Sequence, residues 1–207
     1  MGTTLLYDVE STGLDLKRDK LLEFGYCVID NDSLEIIESG GSLVTEWKNP
    51  RDIDIPYESY KVHNISGQMI RDGAKPWTAY SKLVFSKMSK ATYHCGHNLI
   101  KFDDPFIRQC MIRVGLTAPE RPIIDTMLVA RRYLRLKRNG LAKVAEHYGV
   151  NNTQAHRAEY DARANAEILI LMAKEIGVTL DDLANQEFCD TIGPSYSGGD
   201  PLRAFIK

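Results

Sequence analysis

Five residues in three short stretches could do chemistry together. Asp8 and Glu10 stand two apart at the end of an apolar run from Thr3. At strand spacing both carboxylates project from one face. Like charges on one face repel, and burying either is costly without a partner. A hard divalent cation, Mg²⁺ or Mn²⁺, relieves both problems. Taken alone, Asp-x-Glu fits a solvated strand end equally well. In the second stretch, Ala155-His-Arg-Ala-Glu-Tyr-Asp-Ala162, Asp161 falls early in a helix and His156 five residues before it. That offset is too far round for one helical face, so His156 belongs to the loop entering the helix. An imidazole there can take a proton near neutral pH; it can equally be a surface or capping residue. The third stretch, Gly96-His-Asn-Leu-Ile-Lys-Phe-Asp-Asp-Pro-Phe106, puts Asp103 and Asp104 just after a strand and at a helix start. Asp is a common cap there. Asp104 precedes Pro105, which disfavours helical geometry at Asp104, so Asp104 is the expected N-cap.

Positioning these stretches takes strands and helices in a definite order. Thr3–Val9 reads as a strand running into the turn Ser11-Thr12-Gly13, whose backbone could approach a ligand. Leu21–Asp30 and Leu34–Thr45 are two further strands across the turn signal Asp30-Asn31-Asp32, together an antiparallel meander. The proline-bearing stretch 46–77 reads as loops around a short helix near His63–Arg71. Helical spacing covers Trp77–Lys90 and Pro105–Val114, and Ala91–Gly96 and Arg121–Ile124 are strands. Asp125 caps a helix running to about Leu136, Gly140–Tyr148 forms another, and Ala158–Ile176 is the longest. Strands followed by alternating helices and strands argue for one α/β domain over residues 1–185, with a tail over 186–207.

Composition sets the outer bounds. The chain has 207 residues, 43% hydrophobic and 26% charged, enough to bury a core without staples. No apolar run approaches the roughly 20 residues that cross a bilayer, and Met1–Tyr7 does not read as a secretory signal. No membrane partner and a cytoplasmic location are expected. Cys27, Cys95, Cys110 and Cys189 are scattered without a CxxC pair, so buried free thiols are expected rather than zinc ligands. A net charge of −2 does not advertise a nucleic-acid binder, but metal ions would neutralise acidic groups in such a site.

Each stretch is unremarkable alone; their order is specific. The sequence resembles the DEDDh 3′–5′ exonuclease family, whose members include the proofreading subunit of bacterial DNA polymerase III, exonuclease I, ribonuclease T and oligoribonuclease. The resemblance spans about residues 3 to 175. Tyr60-Lys-Val-His-Asn-Ile-Ser66 and Asp125-Thr-Met-Leu-Val-Ala-Arg-Arg132 match further family segments. Around Asp103 the spacing has one residue more than in proofreading subunits and is closer to exonuclease I.

The resemblance implies a ribonuclease H-like fold, a mixed five-stranded sheet flanked by helices. It implies that Asp8, Glu10, Asp103 and Asp161 bind two divalent cations, Mg²⁺ or Mn²⁺, with Asp8 bridging, and that His156 is the general base. Thr12, Gly13, Leu14, Asn98 and Phe102 are the implied substrate contacts, with Asn98 and His97 also holding the strand-to-helix junction. The implied reaction is 3′–5′ hydrolysis of DNA releasing nucleoside 5′-monophosphates. The same chemistry on RNA, a role beside a polymerase or another replication or repair protein, and an inactive nucleic-acid-binding module are the alternatives. The implied partner is single-stranded or 3′-terminal nucleic acid. The basic run Arg131, Arg132, Arg135, Lys137 and Arg138 fits either a solvated helix face or a phosphate-contacting flank.

Overall fold

The computed structural model describes residues 2–134 and 136–185. Three strands open the chain: β1 (Thr3–Ser11), β2 (Leu21–Asp30) and β3 (Ile36–Thr45). After a 3₁₀ turn over Pro50–Asp52 come α1 (Tyr57–His63), α2 (Gly67–Gly73), β4 (Lys75–Pro76) and α3 (Trp77–Lys90). The second half alternates β5 (Tyr93–Gly96), α4 (Asp103–Ile112), β6 (Ile123–Asp125) and α5 (Thr126–Tyr133). It finishes with α6 (Leu141–Tyr148), α7 (Ala158–Ile176) and α8 (Leu180–Ala184).

The strands form one mixed sheet in the order β4-β3-β2-β1-β5-β6. The meander is antiparallel, as its turn chemistry predicts, whereas β5 and β6 add in parallel beside β1. The sheet therefore has six strands rather than the expected five. The addition is the two-residue β4, pairing Val44 with Lys75 and Thr45 with Pro76 at the β3 edge. An edge strand that short, ending in proline, carries no periodic signal.

Strand alternation divides the core in two. Leu5, Tyr7, Val9, Phe24, Tyr26 and Val28 face α3 and α4, meeting Trp77, Val84, Phe106 and Met111. Leu6, Cys27, Ile29 and Cys95 face the layer of α5 to α8, meeting Val129, Val144, Leu169 and Met172. By the same alternation Asp8 and Glu10 point with Leu6 toward α7. Cys27, Cys95 and Cys110 are free and buried, and Cys189 lies outside the described residues. Trp77 is core, its indole N–H donating to the Cys110 carbonyl at 2.8 Å. No described helix is long and apolar enough to cross a membrane.

Two local readings need correction. The segment around His63–Arg71 is two helices, not one. Asn64, at φ 57°, closes α1, and the Ser66 hydroxyl caps α2 by accepting from the Met69 N–H at 3.2 Å. The buried His63 closes the same turn, its Nδ1 accepting from the Ile65 N–H at 2.9 Å. Helix α8 also exceeds the expected elements; Thr179 and Asp182 form its capping box.

Candidate functional site

A cleft of about 600 Å³ opens beyond the C-terminal end of β1. Asp8, Glu10, Leu14, Asn98, Phe102, Asp103, His156 and Asp161 all line it. So do Val9, His97, Lys101, Leu141, Ala142, Asn152 and Ala155. The three stretches separated by about 90 and 50 residues in sequence thus meet at one place.

The two β1 carboxylates owe their setting to β2. Asp8 lies opposite Gly25 and Glu10 opposite Glu23. A Cβ on Gly25 would sit 2.0 Å from the Ala158 carbonyl carbon, so glycine is what lets the first turn of α7 lie on the sheet beside Asp8. The register shift after Glu10 then ends regular pairing and releases the chain into the loop.

In that loop Thr12 and Gly13 do not line the cleft. The Thr12 hydroxyl donates to Asp19 Oδ1 at 2.9 Å and accepts from the Lys20 N–H at 2.9 Å. Gly13 makes room for the Asp19 carboxylate, which would be 2.5 Å from a Cβ. Both residues shape the loop that thrusts out Leu14, 79% exposed at the cleft mouth. Arg113 anchors the loop from behind, donating to the Asp19 carbonyl and to the buried Glu46 carboxylate, each at 2.9 Å.

Asp103 and Asp104 part company. The Asp103 Oδ1 accepts from the Val9 N–H at 3.1 Å, beyond the last β1–β5 pair, Leu6 with Cys95. Asp104 turns the other way, into the core. It accepts from the Tyr7 hydroxyl at 2.7 Å and from Arg108 Nε at 2.6 Å. It is not the N-cap. That position is Phe102, without a side-chain bond, and α4 begins at Asp103. Pro105 therefore sits inside the first turn, where its missing N–H leaves no helical bond unmade. Phe102 lines the cleft and packs on the buried Phe106, ring centroids 5.3 Å apart.

The junction before α4 is held by Asp125, which caps α5. Its carboxylate also accepts from the Asn98 and Ile100 N–H groups at 3.0 and 3.2 Å. His97, pushed below the ordinary histidine range by burial, is neutral. Its Nε2–H donates to the Asn139 carbonyl at 2.8 Å, and Nδ1 lies 3.0 Å from the Thr126 hydroxyl, which donates to Asn165 Oδ1 at 2.6 Å. Asn98 itself is in the left-handed region at φ 67°.

His156 lies on the loop entering α7, exposed, with φ 64°. Its backbone N–H donates to Asp161 Oδ2 at 2.8 Å, and Asn152 Nδ2 donates to Asp161 Oδ1. One ligand atom each from Glu10, His156 and Asp161 lies within 4.8 Å of the others.

The electrostatics of the four carboxylates share one direction. Burial, then the charges of Asp103, Glu10 and Asp161, hold Asp8 well above the carboxylate range. Burial, with Asp161 and Glu23 adding, pushes Glu10 up to about 9. Burial raises Asp103 to about 7 despite the Val9 N–H, and raises Asp161 against its two donors. Without counter-charge the cluster resists full ionisation. Four clustered oxygen-donor side chains that repel one another fit hard divalent cations, which would restore the ionised forms.

Sequence reasoning missed Glu23, Gly25 and Asn152. Glu23 and Gly25 did leave a signal: a charge and a glycine inside the otherwise apolar Leu21–Phe24 and Tyr26–Ile29. Asn152 left none.

A family profile described as "Exonuclease" matches residues 5–169. A DNA polymerase III PolC-type from Ureaplasma parvum is 28% identical over 212 residues, covering 100% of this chain and 14% of that protein. Another from Caldanaerobacter subterraneus is 32% identical over 183 residues, covering 86% of this chain and 12% of that protein. The chain thus spans about one seventh of these relatives' length, or less. An E. coli exonuclease I–single-stranded DNA complex in zinc-bound form superposes with a TM-score of 0.76 at 19% identity. The match covers 87% of this chain and 42% of that one. Exonuclease X, in complex with 5′-overhanging duplex DNA, gives 0.64 at 23%, covering 88% and 99%. At these identities the structural likeness establishes the fold, ribonuclease H-like α/β.

Proposed function

The chain belongs to the exonuclease family, and from that premise we propose that it removes nucleotides from the 3′ end of DNA by a two-metal mechanism, releasing nucleoside 5′-monophosphates. One observation carries the reading: Asp8, Glu10, Asp103 and Asp161, from three elements, converge with His156 on a single cleft. The DNA polymerase relatives and the DNA-bound neighbours support DNA as the substrate.

Asp8, Glu10, Asp103 and Asp161 are the residues that would hold the cations. Bound there, divalent cations supply Lewis acidity, lowering the pKa of water and offsetting charge on the phosphate and the leaving 3′ oxygen. The protein's own contributions follow from placement. His156, on a loop open to solvent at the cleft, takes the proton of the attacking water, a role suited to an imidazole. Leu14 and Phe102, apolar and facing the cleft, pack against the terminal base. The raised carboxylates release their protons as the cations arrive, so loading is favoured as pH rises.

The test compares single-stranded DNA, duplex DNA and RNA, each 5′-labelled and offered with a free or 3′-phosphorylated end, in Mg²⁺ and in chelator. The reading predicts Mg²⁺-dependent release of 5′-monophosphates from free 3′ ends. Equal degradation of blocked ends, or activity in chelator, would overturn it. RNA cleaved faster than DNA would move the substrate assignment to RNA.

A further inference from the structure

Helix α7 carries Asp161, yet its own sequence does not secure its start. Its N-cap, Arg157, makes no side-chain capping bond, and His156 before it is held in the left-handed region. The missing restraint comes from across the sheet. Glu23 on β2, 3% exposed, accepts from the Ala158 N–H at 3.1 Å, satisfying one of the N–H groups a helix start leaves free. The same carboxylate takes Arg157 in a forked pair, from Nη2 at 2.7 Å and Nε at 3.1 Å. A buried acid with a forked arginine and a backbone donor is a strong, directional arrangement.

What this fixes is the start of the helix. The Arg157 carbonyl accepts from the Tyr160 and Asp161 N–H groups at 2.9 and 3.0 Å. Asp161 in turn holds the His156 N–H at 2.8 Å. A continuous set of bonds therefore runs from Glu23 through Arg157 to Asp161 and back to His156. Glu23 is also the strand partner of Glu10, so the anchor point and one of the cleft carboxylates share a rigid sheet position.

We infer that the Glu23–Arg157 pair is a positioning clamp that sets Asp161 and His156 against the β1 carboxylates. The inference rests on the exonuclease reading of the cleft. Glu23 does not line the cleft; it acts through Arg157 and Ala158.

A clamp and a purely electrostatic role make opposite predictions. Glu23→Gln removes a negative charge near the cleft, and Arg157→Met removes a positive one. If charge alone mattered, the two variants would move the Mg²⁺ concentration for half-maximal rate in opposite directions. A clamp instead predicts that both lower kcat, by roughly tenfold to a hundredfold, the scale of an ångström-sized misplacement. It also predicts KM within about threefold and a double variant no worse than the worse single one, because the pair acts as a unit. A second readout needs no activity. Amide hydrogen exchange across residues 152–161 should speed up in Glu23→Gln, but not in Leu183→Ala, a core change chosen for comparable loss of thermal stability.

Wild-type kcat retained in Glu23→Gln, losses that multiply in the double variant, or unchanged exchange across 152–161 would overturn the clamp. A wild-type protein inactive on every 3′ end would instead sink the reading of the cleft, an outcome distinct from failure of the clamp.

Discussion

Gly25→Ala is the sharpest perturbation of the architecture, because it changes no charge, no ligand and no cleft-lining side chain. The added Cβ would lie 2.0 Å from the Ala158 carbonyl carbon and 2.1 Å from the Glu159 nitrogen. Carbon–carbon contact is comfortable at about 3.5 Å, so the first turn of α7 would have to retreat by about 1.5 Å. Both obstructing atoms are backbone, so no side chain can swing aside. Asp161 and His156 move with that turn. Misplacement of about 1 Å costs roughly 10²-fold in rate, so kcat should fall by at least two orders of magnitude. Overpacking of this kind costs about 1–3 kcal/mol, a melting-point loss of roughly 2–12 °C for a chain this size. The assay pairs a thermal melt with steady-state hydrolysis of a 5′-labelled single strand, the hydrolysis run below the variant's melting range. Loss of rate in a still-folded protein is expected. A variant with a lowered Tm but kcat within threefold of wild type would refute the argument that α7 placement sets the geometry of the site.

Other perturbations separate neighbouring residues. Asp103→Asn keeps the shape and an acceptor for the Val9 N–H, so the fold should survive while turnover collapses. Asp104→Ala strands the Tyr7 hydroxyl and Arg108 and should cost about 1–3 kcal/mol of stability by chemical denaturation; an unchanged midpoint would contradict its role as a core ion-pair partner. His156→Ala should lower kcat by roughly 10²–10⁴-fold with KM little changed; a kcat within threefold of wild type would exclude it as the base. Stability should depend on pH in the cation-free protein. Glu10, raised to about 9, and Asp103, raised to about 7, keep protons in the fold that the unfolded chain has lost above its ordinary carboxylate pKa values. The folded state then binds more protons, so stability declines as pH climbs from about 4 through 9 and is unaffected below that window. Mg²⁺ should raise Tm more at pH 8.5 than at pH 5.5, and an equal gain at both would count against the shifted carboxylates.

Much of this molecule is legible in its sequence, for physical reasons that differ by element. The long amphipathic α7 and the apolar β2 carry strong periodic signals, and their bounds, Ala158–Ile176 and Leu21–Asp30, follow from them. The short elements do not. Two residues of β4 have no period, and Asn64 breaks one expected helix in two by adopting a left-handed turn. The cleft was legible as residue types in order, since Asp8, Glu10, Asp103, His156 and Asp161 all line it. The supporting contacts were not, because they depend on register. Glu23 matters through facing Glu10 across β1 and β2, and Gly25 through facing Asp8, pairings no local pattern reveals. Asp104 shows the same limit. Local rules make it a cap beside Pro105, and only the packing of Tyr7 and Arg108 makes it a core partner.

The proposed reaction requires the four cleft carboxylates to hold two divalent cations. Crystals grown with Mn²⁺ and a nucleoside 5′-monophosphate, measured at the manganese absorption edge, test it directly. The account predicts two anomalous peaks about 3.5–4 Å apart among Asp8, Glu10, Asp103 and Asp161, with an Asp8 oxygen reaching both and the His156 imidazole bound to neither. No peak, or a single ion ligated by Glu10, Asp161 and the His156 ring, would contradict it.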